Sequence, residues 1–129
     1  MNFEEIANAL RSHWQVETLR DRSLRINVEG CGVFVSLFDF GNEVVVSLGG
    51  SVGFDLEPSK KVFRWVAVTG SDQVFGSVIA NFNDDGLLDL WARYAALASV
   101  LDASALISTV RQFAFDVSEA ERTVRVLFS

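Results

Sequence analysis

Residues 58–70 read PSKKVFRWVAVTG, and whether they coil or extend decides the fold of the whole chain. Their β-branched and aromatic content argues for a strand. Pro58 argues the other way, because its fixed φ suits the first position of a helix. Val62, Phe63 and Val66 also fit one helical face, joined loosely by Thr69, and Gly70 would follow the last turn. Local pattern leaves both readings open.

The segments before it are easier. Phe3, Ile6, Ala7, Leu10 and Trp14 recur at helical spacing, and Asn2 with Glu5 has the form of a capping box. Leu24, Ile26 and Val28 then alternate with Arg25, Asn27 and Glu29, the pattern of a half-buried strand. Gly30-Cys31-Gly32 reads as a turn. Residues 33–40, VFVSLFDF, form the next strand, but one with two apolar faces. Val33, Val35 and Leu37 point one way; Phe34, Phe38 and Phe40 point the other, with Ser36 between them. The second face needs a cover. Gly41-Asn42 turns the chain into a third strand, Glu43 to Leu48, and short turns of this kind imply an antiparallel meander. Residues 49–57, GGSVGFDLE, read as a Gly-rich, flexible connector.

After residue 70, VFGSVIANF and LLDLWARYAAL flank Asn83-Asp84-Asp85-Gly86, a strong hairpin signal. Asp102 is a plausible N-cap. Leu106, Val110, Phe113, Ala114 and Val117 then repeat at 3.6 spacing. Ser118 to Glu121 repeats the capping-box form, so this helix either restarts there or runs on to about Val126. No linker or repeat divides the chain, and residues 1–129 are expected to be a single domain.

Composition narrows the function. Net charge is −6 and the sequence pI about 4.6, which opposes contact with phosphate backbones and anionic membranes. No nucleic-acid partner is expected. No stretch approaches the roughly 20 apolar residues of a membrane span, and the N-terminus has no apolar secretory core, so a cytoplasmic location is expected. His13 is the single histidine and Cys31 the single cysteine. A zinc site of the usual soft ligands is therefore not expected, and no nucleophile-elbow signature accompanies His13. The acidic hairpin lacks the spacing of a calcium loop. GGSVG lacks the Lys-Ser/Thr ending of a phosphate loop. No catalytic residue, metal or cofactor is assigned, and the protein is read as not an enzyme.

What remains is an apolar surplus. Half of the residues are hydrophobic without counting Gly, where about 45–50% is usual with Gly included. Eleven Phe and three Trp make the surplus bulky. Phe34, Phe38, Phe40, Phe63, Trp65, Phe75 and Trp91 exceed what one sheet face needs, and are the candidate partner-binding residues. Large exposed apolar patches mark interaction sites.

If residues 58–69 are helical, the order is α-β-β-β-α-β-β-α. That order, the size and the acidity resemble the class I type III secretion chaperones and the YbjN-like family of peptide-binding chaperone-like proteins. The likeness is carried by FRWV (63–66), VFGSV (74–78), NDDG (83–86), LDLWARY (88–94) and LDASALISTVRQFAFD (101–116). It covers residues 57–120 well, and the first half by element order only. The resemblance favours a helix at 58–69. It implies an α+β fold with a five-stranded, bent antiparallel sheet and helices packed mainly on one face. It also implies a homodimer that holds an extended client segment against an aromatic sheet surface. The chain departs from that family at TVRVLFS (123–129), which adds apolar residues where polar ones are usual. The acidic exterior would favour basic flanks on a client. A structural homo-oligomeric scaffold, and a small-ligand binder or enzyme, are the rival expectations.

Overall fold

A computed structural model of the chain describes residues 1–72 and 76–128. Residues 60–70 are helical: α2 spans Lys60–Trp65, and its last turn widens into a π-helical turn at Val66–Gly70. Ser59 caps it, its Oγ accepting from the Val62 N–H at 3.2 Å, so Pro58 stands just before the cap rather than at the first helical position. Strand propensity loses here because Val62 and Trp65 are the residues that reach the core, and they do so at helical spacing.

The remaining elements are α1 (Phe3–Arg11), β1 (Gln15–Arg20), β2 (Ser23–Val28), β3 (Cys31–Phe40), β4 (Glu43–Leu56), β5 (Ser77–Phe82), β6 (Leu88–Leu97) and α3 (Ala103–Phe128). They form one antiparallel sheet in the order β1-β2-β3-β4-β6-β5. It has six strands, not five. The extra one, β1, reads QVETLR and has no alternation to announce it. Only Val16 is half shielded, and the other five side chains are exposed. Backbone pairing with β2 makes it a strand, from Gln15 opposite Asn27 to Arg20 opposite Ser23.

A second expectation fails at residues 49–57. Residues 49–56 are no flexible connector but the continuation of β4, which runs 14 residues and pairs with β6 across bulges at Ser51/Gly53 and Gly53/Leu56. The two glycines sit there because both sheet faces are approached closely. A Cβ on Gly50 would lie 3.0 Å from both methyls of Val117 on α3, and one on Gly49 would lie 2.8 Å from the Trp91 ring.

The core fills the space between one sheet face and the helices. Leu24, Ile26, Val33, Val35, Val46, Leu48, Leu88 and Leu90 supply the sheet side. Leu106, Val110, Phe113, Ala114, Val117, Ala120 and Val124 supply a continuous stripe of α3, and Ile6, Ala7 and Leu10 the inner face of α1. The capping box of α1 forms as expected, with the Glu5 N–H donating to Asn2 Oδ1 at 2.8 Å and the Asn2 N–H to Glu5 Oε1 at 3.0 Å. Asp102 caps α3 through the Ala105 N–H at 2.7 Å. That helix does not restart at Ser118. Glu119 pairs forward with Arg122, and Glu121 with Arg125, and the helix runs to Phe128. Part of the TVRVLFS segment thus packs at home. Val124 is buried, and Phe128 meets Trp65 edge to face with ring centroids 6.3 Å apart. The Asn83–Gly86 hairpin is present. Asn83 Oδ1 accepts from the N–H groups of Asp85 and Leu87, and Gly86 takes φ +73°.

Candidate binding face

All three helices lie against the same side of the sheet, so the other side faces outward. Alternation decides which residues it shows. In β3, Val33, Val35 and Leu37 enter the core, and Phe34, Ser36, Phe38 and Phe40 face out. In β4 the outward residues are Val45, Ser47, Gly49 and Ser51; in β6 they are Trp91, Arg93, Ala95 and Leu97, opposite Ser77 and Ile79 of β5.

Phe34 and Trp91 form the centre of this face. Their ring centroids are 5.5 Å apart at a tilt of 44°. They come from β3 and β6, two strands that do not touch, because Gly49 on the intervening β4 has no side chain to keep them apart. The Arg25 guanidinium on β2 lies 5.8 Å from the Phe34 centroid, within reach of a cation–π contact. Further along the face stand Phe38, 44% exposed, and Phe40, 72% exposed, with Leu97 and Val45 in the same row as Phe38.

Beyond the first residues of β3 the face deepens into a cavity of about 370 Å³. β4 overruns β3 there: pairing between the two stops at Phe34 opposite Gly49, while β4 continues to Leu56. It is lined by Arg25, Cys31, Phe34, Ser51, Phe54 and Trp91 of the sheet and by Val117, Ser118 and Glu121 of α3. Phe54 is 63% exposed. Burial pushes the Cys31 thiol pKa up, against a hydrogen bond from Ser118, and the Glu121 carboxylate pushes the same way as burial. The thiol is therefore held in its neutral, unreactive form.

The seven candidate residues separate. Phe34, Phe38, Phe40 and Trp91 share the outward face. Trp65 does not: it is 8% exposed and belongs to the core. Phe63 lies on the helical side, 6.4 Å from Phe82 of β5. Phe75 lies outside the described residues. Phe54, Arg25 and Arg93 are additions. Phe54 was concealed by the reading of its segment as a connector. The arginines could have been found by strand alternation, since each sits between residues that turn inward.

Other candidate chemistry is modest. Ser12 Oγ lies 2.9 Å from His13 Nδ1, and no carboxylate forms an ion pair with His13 among the described residues. Near the acidic hairpin, Asn83 Nδ2 donates to Asp55 Oδ1 at 2.7 Å and to Asp89 Oδ1 at 3.2 Å, so an amide already occupies the space between those carboxylates. No group of three or more His, Cys, Asp and Glu is placed to hold a metal ion among the described residues. No helix among them is long and apolar enough to cross a membrane.

No family model matches the sequence, and no curated protein matches it. Among solved structures the chain is similar to the crystal structure of YbjN from E. coli, a protein described as a candidate transcription regulator. The TM-score is 0.68 at 13% identity, over 98% of this chain and 93% of that one. At this identity the likeness establishes the fold.

Proposed function

We propose that the protein is a non-catalytic binding module that holds an extended segment of another protein against the open sheet face. The observation that carries this is a set of rings, Phe34, Phe38 and Phe40, on the side of the sheet that the chain's own helices leave uncovered, with Phe54 exposed at the adjoining cavity. A single exposed ring is ordinary; several on one face, beside a cavity, mark an interaction surface. Each apolar side chain buried there contributes about 1.5–3 kcal/mol. Three or four such anchors, less the entropy of ordering the segment, give an affinity of about micromolar. The unpaired outer edge of β4 beyond Gly49 adds backbone donors and acceptors beside the same cavity.

Two observations support the non-catalytic reading. The single histidine faces no carboxylate partner among the described residues. The one titratable group with a resolved shift, Cys31, is moved towards inertness. A role in transcription, which the description of YbjN raises, would on a net charge of −6 run through a protein partner rather than through DNA. Pairing with a second copy is part of the proposal. Phe63, Phe82, Phe115 and Val126, all exposed and away from the open face, are the groups a twin chain would draw on.

The test is selection from a random dodecapeptide display library on the full chain, with selected peptides remade and measured by fluorescence anisotropy. Peptides that bind near micromolar and lose at least tenfold on Phe34→Asp, in a variant that keeps its circular dichroism, support the reading. Failure to select any peptide, or selected peptides indifferent to Phe34→Asp, sinks it. Sedimentation at several concentrations checks pairing. A dimer that Phe34→Asp dissociates would place the twin on this face and turn the reading into that of a scaffold.

A further inference from the structure

The open face carries a charge pattern opposite to that of the molecule. One cross-strand row runs its full width: Glu17, Arg25, Phe34, Gly49, Arg93 and Ser77 are partners in turn, one from each strand. Arg25 and Arg93 stand three strand spacings apart, about 14 Å. Between them lies the aromatic floor, with the Phe34 ring on one side of Gly49 and the Trp91 ring laid over it. Both arginines are exposed. Neither joins an ion pair among the described residues, Glu17 beside Arg25 included. The other carboxylates near the face lie beyond this row. Asp89 is bound by Asn83 and the Asp55 N–H, and Glu121, which lines the same cavity as Arg25, is paired with Arg125.

From this row, and resting on the reading of the open face as a binding surface, we infer that the face selects an extended segment in which two acidic residues bracket an apolar one. In an extended chain residues i, i+2 and i+4 share one side, and i and i+4 lie about 13 Å apart. That spacing matches the backbone separation of Arg25 and Arg93, with the middle side chain set onto Phe34 and Trp91; the Arg25 guanidinium lies over Gly32 and beside Phe34, and would swing to meet its carboxylate. A segment of the form Glu/Asp-x-Φ-x-Glu/Asp, where Φ is aromatic or a large aliphatic, therefore fits across the strands. The net charge of −6 argues for basic partners, but charges more than about 8 Å away are screened at physiological salt. The local arginines decide.

The experiment uses two fluorescein-labelled heptapeptides, Ser-Glu-Ser-Phe-Ser-Glu-Ser and its twin with Lys in place of Glu, titrated with the full chain. The acidic peptide is expected to bind about tenfold tighter than its twin at physiological salt, where the distant carboxylates are screened. The ratio should fall towards one in the Arg25→Gln, Arg93→Gln double variant. Equal binding of the twins, or tighter binding of the Lys peptide, with both lost on Phe34→Asp, overturns the charge selection and leaves the binding face standing. Binding of both that ignores Phe34→Asp, or no binding of either, overturns the face and the selection together.

Discussion

The Trp91 ring covers Gly49 so closely that a single added carbon has no room: a Cβ there would sit 2.8 Å from two atoms of the indole. Gly49→Ala must push the ring aside and break its contact with Phe34. We expect a loss of about 1–3 kcal/mol, read as a lower urea midpoint by circular dichroism. A loss below about 0.5 kcal/mol would show that the indole swings freely and that the aromatic centre is not preformed.

Rings on the two sides of the sheet should respond differently to deletion. Phe113 is fully buried on α3, and Phe113→Ala should cost about 3–5 kcal/mol. Phe40→Ser removes a ring that mostly faces solvent and should cost under about 1 kcal/mol, and Phe38→Ser, at a ring a little over half covered, about 1 kcal/mol. Denaturant unfolding of the three variants checks this. Comparable losses would mean that the outward rings belong to the folding core.

Among the described residues, Asn83 organises the β5–β6 turn through six hydrogen bonds of its side chain and backbone, to Asp55, Asp85, Gly86, Leu87 and Asp89. Asn83→Ala removes the four made by the side chain and leaves Asp55 and Asp89 facing each other without the amide. A loss of about 1–2 kcal/mol is expected, with faster hydrogen exchange at the Asp85 and Leu87 amides. Unchanged exchange at those two positions would refute the assignment.

The Cys31 thiol has its pKa raised in the folded state, chiefly by burial. The unfolded chain releases that proton first, so stability should fall as pH rises above the ordinary thiol value of about 8.5. Below that pH both states hold the proton and no effect is expected. Cys31→Ala should therefore flatten part of the alkaline decline in urea midpoint between neutral and strongly alkaline pH. Parallel curves for the two proteins would contradict it.

Much of the fold could be read from residues because burial imposed a period. α1, α3, β2, β3 and the hairpin announced themselves through alternation, helical spacing or a cap. The failures share a cause. β1 is held mainly by backbone pairing, and of its side chains only Val16 packs against the core, too little to show as a period. The tail of β4 looked like a loop because Gly49, Gly50 and Gly53 suit flexible chain as well as close approach, and only the partners, Trp91, Val117 and Val124, tell the two apart. Of the site, the outward Phe residues of β3 were legible from the broken alternation at 33–40. Trp65 was not, since on a helix of uncertain register nothing in the residue says whether it turns inward. The pairing of Arg25 with Arg93 across Phe34 depends on strand order, which sequence spacing does not give.

At Gly49-Gly50 the wall between the outside and the interior is one peptide thick. The indole of Trp91 rests on one side and the Val117 methyls on the other, with no side chain of β4 to cushion either. A guest leaning on that indole therefore presses almost directly on α3. On the proposed reading of the open face, α3 is the element that would feel occupancy from the opposite side of the sheet.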